Sequence, residues 1–199
     1  MYEVREQAER DYQLASGLSQ DVESHDNVFR QTTARLPWLL IGMLGGIGNS
    51  MILGNFDTTF AAHPEMALYI PLIGGTGGNV GTQSSALVVQ GLANSSLDSG
   101  NTFQQILKES VVALINATII SMLVYIYNFI RFGATATVSY SVSISLFAVV
   151  MFASIFGTLV PMTLEKLNID PSFATGPFIS ITNDIIGMMM YMGITVLLS

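Results

Sequence analysis

Cysteine is absent from this 199-residue chain, which removes disulfides, thiolate metal ligands and cysteine nucleophiles together. Histidine is nearly absent. His25 and His63 are the two, neither lies in an apolar stretch, and no catalytic triad or zinc motif can be built around them. Charge is also scarce: Asp, Glu, Lys and Arg make up 11% of residues, against about 25% in an ordinary soluble domain. Seven basic and 14 acidic residues give a formal charge of −7 and a pI near 4.5. With no basic patch to neutralise phosphates, a nucleic-acid partner is excluded. The chain reads as a non-enzyme.

What is present is apolar. Mean hydropathy is +0.53, and 11 of the 21 charges fall in the first 35 residues. Residues 36–56, 66–97, 110–130 and 132–164 carry no charge, and the last 29 residues carry one. A bilayer core takes roughly 20 apolar helical residues to cross. The pattern predicts an all-α polytopic membrane protein with five spans, near 36–56, 66–92, 106–130, 137–164 and 176–198. The first opens at Leu36-Pro37-Trp38, with proline in a first turn and tryptophan at the interface. The fourth is either a long tilted helix or loses its N-terminal serines to a loop.

Two domains follow: residues 1–35 as a cytosolic leader and 36–199 as the membrane domain. The leader lacks the basic and apolar regions of a signal peptide, and fits the end of a larger soluble region equally well. Its residues 3–16 favour helix. Residues 18–35 read as a second, amphipathic segment on Leu18, Val22 and Phe29, lying on the membrane surface or beneath the bundle. Arg30, Arg35, Lys108 and Lys166 fall on one side of the five spans and Arg131 on the other. The positive-inside rule then places the N-terminus in the cytosol and the C-terminus outside.

Two features set the spans apart from anchors. Eleven of 18 glycines lie between Gly42 and Gly91. Those of span one, Gly42 and Gly46 among them, suit close helix packing. Span two carries Gly74-Gly75-Thr76-Gly77-Gly78-Asn79-Val80-Gly81-Thr82-Gln83-Ser84-Ser85, a poor face for lipid. Loosened backbone is tolerated in a membrane where it borders protein or a wet cavity. The run is therefore expected to line a cavity with carbonyls, Asn79 and Gln83, the other reading being a glycine-packed helix crossing. A phosphate loop is rejected because no Lys follows.

The second feature is Asp184, the acidic residue set well inside span five. An unpaired carboxylate there costs several kcal/mol unless it meets a cation, a proton or water, so function is its default reading. Ser180 and Gly187 lie nearer its helical face than Asn183 does. Oxygen donors without thiol or imidazole suit a hard cation: Mg2+, Ca2+ or Mn2+. A two-fold homodimer would bring two such carboxylates to one axis.

At these residues the chain resembles the transmembrane domain of the MgtE family of magnesium channels and transporters. The likeness runs from Arg35-Leu36-Pro37-Trp38-Leu39, through Pro71-x-x-Gly74-Gly75-x-Gly77-Gly78-Asn79-x-Gly81-x-Gln83, to Thr175-Gly176-Pro177-Phe178 and Asn183-Asp184-x-x-Gly187. The resemblance implies a homodimer in the plasma (inner) membrane, with the ion path between protomers lined by spans two and five. It matches Asp184 to the family's pore aspartate, which holds hydrated Mg2+ with its dimer mate. Asn79 matches a second metal-site residue, and Gly74, Gly75, Gly77, Gly78, Gly81, Gln83, Ser180, Asn183 and Gly187 match the pore lining. The stretch carrying Val22, Phe29 and Arg35 is similar to the plug helix that gates the cytosolic mouth. Mg2+ is the implied cargo, with Mn2+, Co2+ and Ca2+ as further candidates. Bacterial members also carry a cytosolic CBS-type sensor, for which the leader has no room, so the chain is expected to be either an excised membrane domain or a sensor-less member.

The function expected is a Mg2+ channel running down the electrochemical gradient. A Na+- or H+-coupled divalent carrier is the alternative. An assembly protein with a protonated Asp184 is the bland case.

Overall fold

The computed structural model describes residues 13, 16–19, 22–94, 97, 102–133, 136–174 and 176–198. They form an all-α bundle. Helix α1 (Val28–Gly54) is followed by a short α2 (Asp57–Ala62) and a 3-10 turn (Pro64–Tyr69). Then come α3 (Ile70–Ala93), α4 (Thr102–Phe132) and α5 (Thr137–Lys166). A second 3-10 turn (Pro171–Ala174) leads into α6 (Pro177–Leu198). Four stretches are long and apolar enough to cross a membrane: α1, α4, α5, and Pro171–Leu198 containing α6. The chain is a multi-pass membrane protein. At 24 residues, α3 is about 36 Å long, but its glycines dilute its hydropathy.

Helix α5 is the axis of the bundle. It buries side chains on every turn, from Val138 to Met162, while Ile144 and Leu159 stay exposed, and a helix buried on most of its circumference is filled by apolar and small side chains. The serines that open it are helical rather than looped: Ser139 Oγ donates to the Gly133 carbonyl at 2.8 Å and Ser143 Oγ to the Ser139 carbonyl at 2.9 Å. Small hydroxyls bonded to their own backbone fit where larger polar groups would not. Two tyrosines tie the turn before α3 into this core. Tyr69 Oη donates to Asn128 Oδ1 of α4 at 2.5 Å, and Tyr191 Oη of α6 to the Met66 carbonyl at 2.8 Å.

Two sequence expectations are corrected. Helix α1 starts at Val28, capped by the Asn27 side chain accepting from Arg30 N–H at 2.8 Å. Pro37 therefore lies inside the helix, not in its first turn. Residues 28–35 are the opening turns of α1 and not a separate amphipathic segment, because that cap sits eight residues upstream of Arg35. Ahead of it the chain turns. The Gln13 amide clasps Val22, Nε2 donating to its carbonyl at 2.9 Å and Oε1 accepting from its N–H at 3.1 Å. The helix expected over 3–16 falls almost wholly outside the described residues. The second correction is in the glycine run: α3 is a continuous α-helix through residues 74–85, so no carbonyls are released there.

The glycines instead let helices touch. A Cβ at Gly157 of α5 would strike the Gly81 carbonyl oxygen of α3, and its next contacts, at 3.1 Å, are also Gly81 backbone. In α1, Gly42 and Gly45 face Ile181 of α6, while Gly46, Gly48 and Gly54 face open space. The connector before α6 descends beside α3, where Ser85 Oγ donates to the Ala174 carbonyl at 2.5 Å. Ser85 is eight residues, about 12 Å, from the end of α3, so α6 begins inside the bundle.

Candidate functional site

Antiparallel packing of α3 and α6 sets the site. Ser85 meets Ala174, Gly81 meets Ile179 and Asn183, Gly78 meets Ser180 and Asp184, and Gly74 meets Asp184 and Met188. The half-buried Asp184 lies on the eighth residue of α6, about 10 Å from its start. Its Oδ1 is 3.4 Å from where a Cβ would stand at Gly74, and 3.4 Å from one at Gly78. A Cβ at Gly78 would also lie 2.9 Å from Ser180 Oγ. Glycine at both positions gives the carboxylate a berth against bare helix. Among the described residues no cation or hydrogen-bond donor engages Asp184, and no three Asp, Glu or His side chains gather into a metal cage.

The expected site residues thus divide. Gly74, Gly78, Ser180 and Asp184 come together. Asn183 points elsewhere: it is 1% exposed, wedged against Gly81 with neither amide atom hydrogen-bonded. Gly77 and Gly187 both face Val149 of α5, at 2.9 and 3.3 Å from a Cβ. Gly75, Asn79 and Gln83 sit on the outward face of α3. Asn79 is one residue past Gly78 and so about 100° round the helix from it.

Ser180 also lines a cavity of about 790 Å3, with Ser16, Gly17, Arg35, Trp38 and Pro177. Gly17 closes it from the leader side. Its φ of +82° is one that favours glycine, and a Cβ there would stand 2.7 Å from Pro177 Cγ. Arg35 borders this cavity, Val22 is buried, and Phe29 is 79% exposed.

Sequence reasoning missed a second polar cluster. Glu109 of α4 is buried and accepts from Ser84 Oγ of α3 at 2.6 Å and from Ser154 Oγ of α5. The available signal was the four-residue spacing of Glu109, Ala113, Ala117 and Ser121, all on the buried side of α4. Two further asparagines serve packing or capping: Asn128 is buried and accepts from Tyr69 Oη, and Asn55 Nδ2 donates to the Met51 carbonyl at 2.8 Å. His63 Nδ1 stands 3.6 Å from Glu65 Oε1 near the start of the first 3-10 turn.

An all-α membrane bundle with an unpartnered intramembrane carboxylate set against glycines belongs to the class of ion-handling transport proteins. The family model described as MgtE, divalent cation transporter, matches residues 70–194, and the chain belongs to the MgtE family. Three curated relatives are named magnesium transporter MgtE. The protein from Bacillus subtilis is 29% identical over 96% of this chain and 42% of its own length. That from Thermus thermophilus is 32% identical over 83% and 36%, and that from Enterococcus faecalis 28% over 96% and 42%. The chain therefore spans about two-fifths of the length of these relatives. A family of transporters, rather than enzymes, agrees with the non-enzyme reading.

Proposed function

We propose that this chain forms the membrane-embedded, conducting part of a Mg2+ channel. The reading makes α3 a fifth span and pairs two copies across a two-fold axis. The ion path follows the outward stripe of α3 (Gly75, Asn79, Gln83) and the adjoining Asp184. The observation that carries it is this stripe: amide side chains facing outward from a helix in a membrane bundle need water or a partner beside them. Asp184 supplies charge next to that stripe. Mg2+ dehydrates reluctantly and keeps several waters, so two Asp184 carboxylates and the α3 amides would hold it through its hydration shell.

With the N-terminus cytosolic and the C-terminus outside, Mg2+ enters down its gradient. The membrane potential contributes about 4.6 kcal/mol per 100 mV for a divalent ion. Val22, Phe29 and Arg35 belong to the cytosolic gate in this reading, with any CBS-type sensor supplied by a further segment of a longer protein. The unbroken backbone of α3 favours the channel over a Na+- or H+-coupled carrier, whose sites commonly use interrupted helices.

The test is Mg2+ entry into proteoliposomes under an imposed potential, with Na+ and pH gradients collapsed. Asp184→Ala should cut entry more than tenfold while leaving the protein folded and its oligomeric state unchanged. Full conduction by that variant would overturn the pore assignment, and flux appearing only with a Na+ or pH gradient would favour the carrier.

A further inference from the structure

On the other flank of α3 lies the cluster that the Mg2+ path does not use. Glu109, Ser84 and Ser154 come from three helices and are 9%, 4% and 2% exposed. Both hydroxyls donate to the same carboxylate oxygen, Glu109 Oε1, and the two serine oxygens are themselves 3.0 Å apart. They form one wall of a cavity of about 550 Å3 whose other polar walls include the amides of Gln83, Gln105 and Asn116. Ser84 lies six residues beyond Gly78 along α3, about 9 Å deeper and 120° round the helix. The cluster is therefore distinct from Asp184.

The charges do not balance within the described residues. No Lys, Arg or His nitrogen lies within ion-pair distance of Glu109 there. Lys108, the charged neighbour bordering the cavity, is next in sequence and so points about 100° away. It is exposed near the end of α4, where a long side chain snorkels toward the headgroups. A buried carboxylate left this way is costly. The donors around it are carboxylate, hydroxyl and amide oxygens, the set that hard cations choose.

We propose that Glu109, Ser84 and Ser154 form a binding site for a small monovalent cation of the Na+ class. The single negative charge selects the valence. A monovalent ion neutralises Glu109, whereas a divalent one would leave net positive charge in a low-dielectric site already bordered by Lys108. The close triangle of oxygens selects a small ion over a large one. The cavity amides and water complete its shell, since a space of this size holds several waters. Bound there, the ion would pin α3 to α4 and α5 at the level where Ser85 holds the start of α6.

The site is tested by thermal unfolding of the detergent-solubilised protein at constant ionic strength, with Na+ replacing N-methylglucamine. Saturating Na+ should raise the unfolding midpoint by about 5 °C at 100 times the half-saturating concentration. K+ and Mg2+ should give smaller shifts over the same range. Glu109→Gln should abolish the Na+ response. Should that variant fail to fold, Ser84→Ala and Ser154→Ala, which keep the carboxylate, should each weaken the response at least threefold in half-saturating concentration. Asp184→Ala should retain it, so that loss of Mg2+ flux and loss of the Na+ site are separable. An unchanged Na+ response in Glu109→Gln, or in both serine variants, would overturn the proposal. So would equal shifts with Na+ and K+, which would show a general salt effect, or loss of the response in Asp184→Ala, which would assign it to the other site.

Discussion

Helices α3 and α4 both turn one face out of the bundle, and the two faces differ in character. The outward face of α4 is mostly apolar, with Leu107, Val111, Leu114, Ile115, Ile119, Met122, Leu123 and Ile126 broken by Asn116 and Thr118, and lipid can solvate most of it. That of α3 includes Pro71, Gly75, Asn79, Gln83, Leu87 and Gln90, where four of the six side chains are amides or absent. Exposure in a membrane protein is therefore two quantities, since the outside is hydrocarbon in one direction and water or protein in another. The inward faces differ as well. α4 packs through Ala113 and Ala117, whereas α3 packs through Gly74, Gly77, Gly78 and Gly81, which brings its backbone against α5 and α6.

The largest expected effect comes from breaking that inward face. Gly157→Val would drive a side chain into the backbone of Gly81, which cannot swing aside as a side chain would. We expect a cost of about 3 kcal/mol or more, read as loss of folded protein in detergent and aggregation on size exclusion. By contrast Gly46→Ala, where a Cβ meets nothing, should purify like the parent. Equal behaviour of the two would show that α3 does not depend on this contact.

A carboxylate placed on each outward face tests the comparison directly. Ile119→Asp on α4 should cost about 3 kcal/mol of membrane insertion, the charge for an acid at mid-bilayer. Asn79→Asp on α3 should insert normally under the proposed channel reading, in which water or a partner borders that face. A glycosylation-reporter insertion assay reads both, and equal penalties would remove the distinction between the faces. A smaller effect is expected where the two helices are tied. Tyr69→Phe leaves Asn128 Oδ1 buried without its phenolic donor, costing about 1–3 kcal/mol. The check is a fall of a few degrees in the unfolding midpoint.

The same contrast explains what could be read from the sequence. Long apolar stretches fix a membrane helix locally, so the spans expected at 106–130, 137–164 and 176–198 lie within a few residues of α4, α5 and α6. Asp184 was legible because a carboxylate among apolar neighbours needs no tertiary context to be conspicuous. The state of residues 74–85 was not. Glycine disfavours helix by about 1 kcal/mol each in water, but here bonded helical backbone and close contact with Gly157 and Asn183 win, and those partners lie far along the chain. The spacing of Glu109 with Ala113 and Ala117 marks its buried face, but its partners were illegible for the same reason: Ser84 and Ser154 are 25 and 45 residues away.

The smallest effect belongs outside both helices, at the turn that feeds α1. Asp26 is held below the ordinary carboxylate value of 3.8, chiefly because its carboxylate accepts the Glu23 N–H, with Arg30 adding attraction from the next turn. A depressed value means the folded turn favours the ionised form. Its contribution is present above 3.8 and is lost as pH falls through the lower folded value. Because Asp26 sits in a surface turn and its partner Arg30 is half exposed and screened by solvent, this should leave the bundle's unfolding midpoint unchanged. What should move is local: the Glu23 amide resonance should titrate with a midpoint below 3.8 and stop doing so in Asp26→Asn. A global loss of stability in that variant would instead tie the leader turn to the bundle, and would extend the packed region beyond the helices compared above.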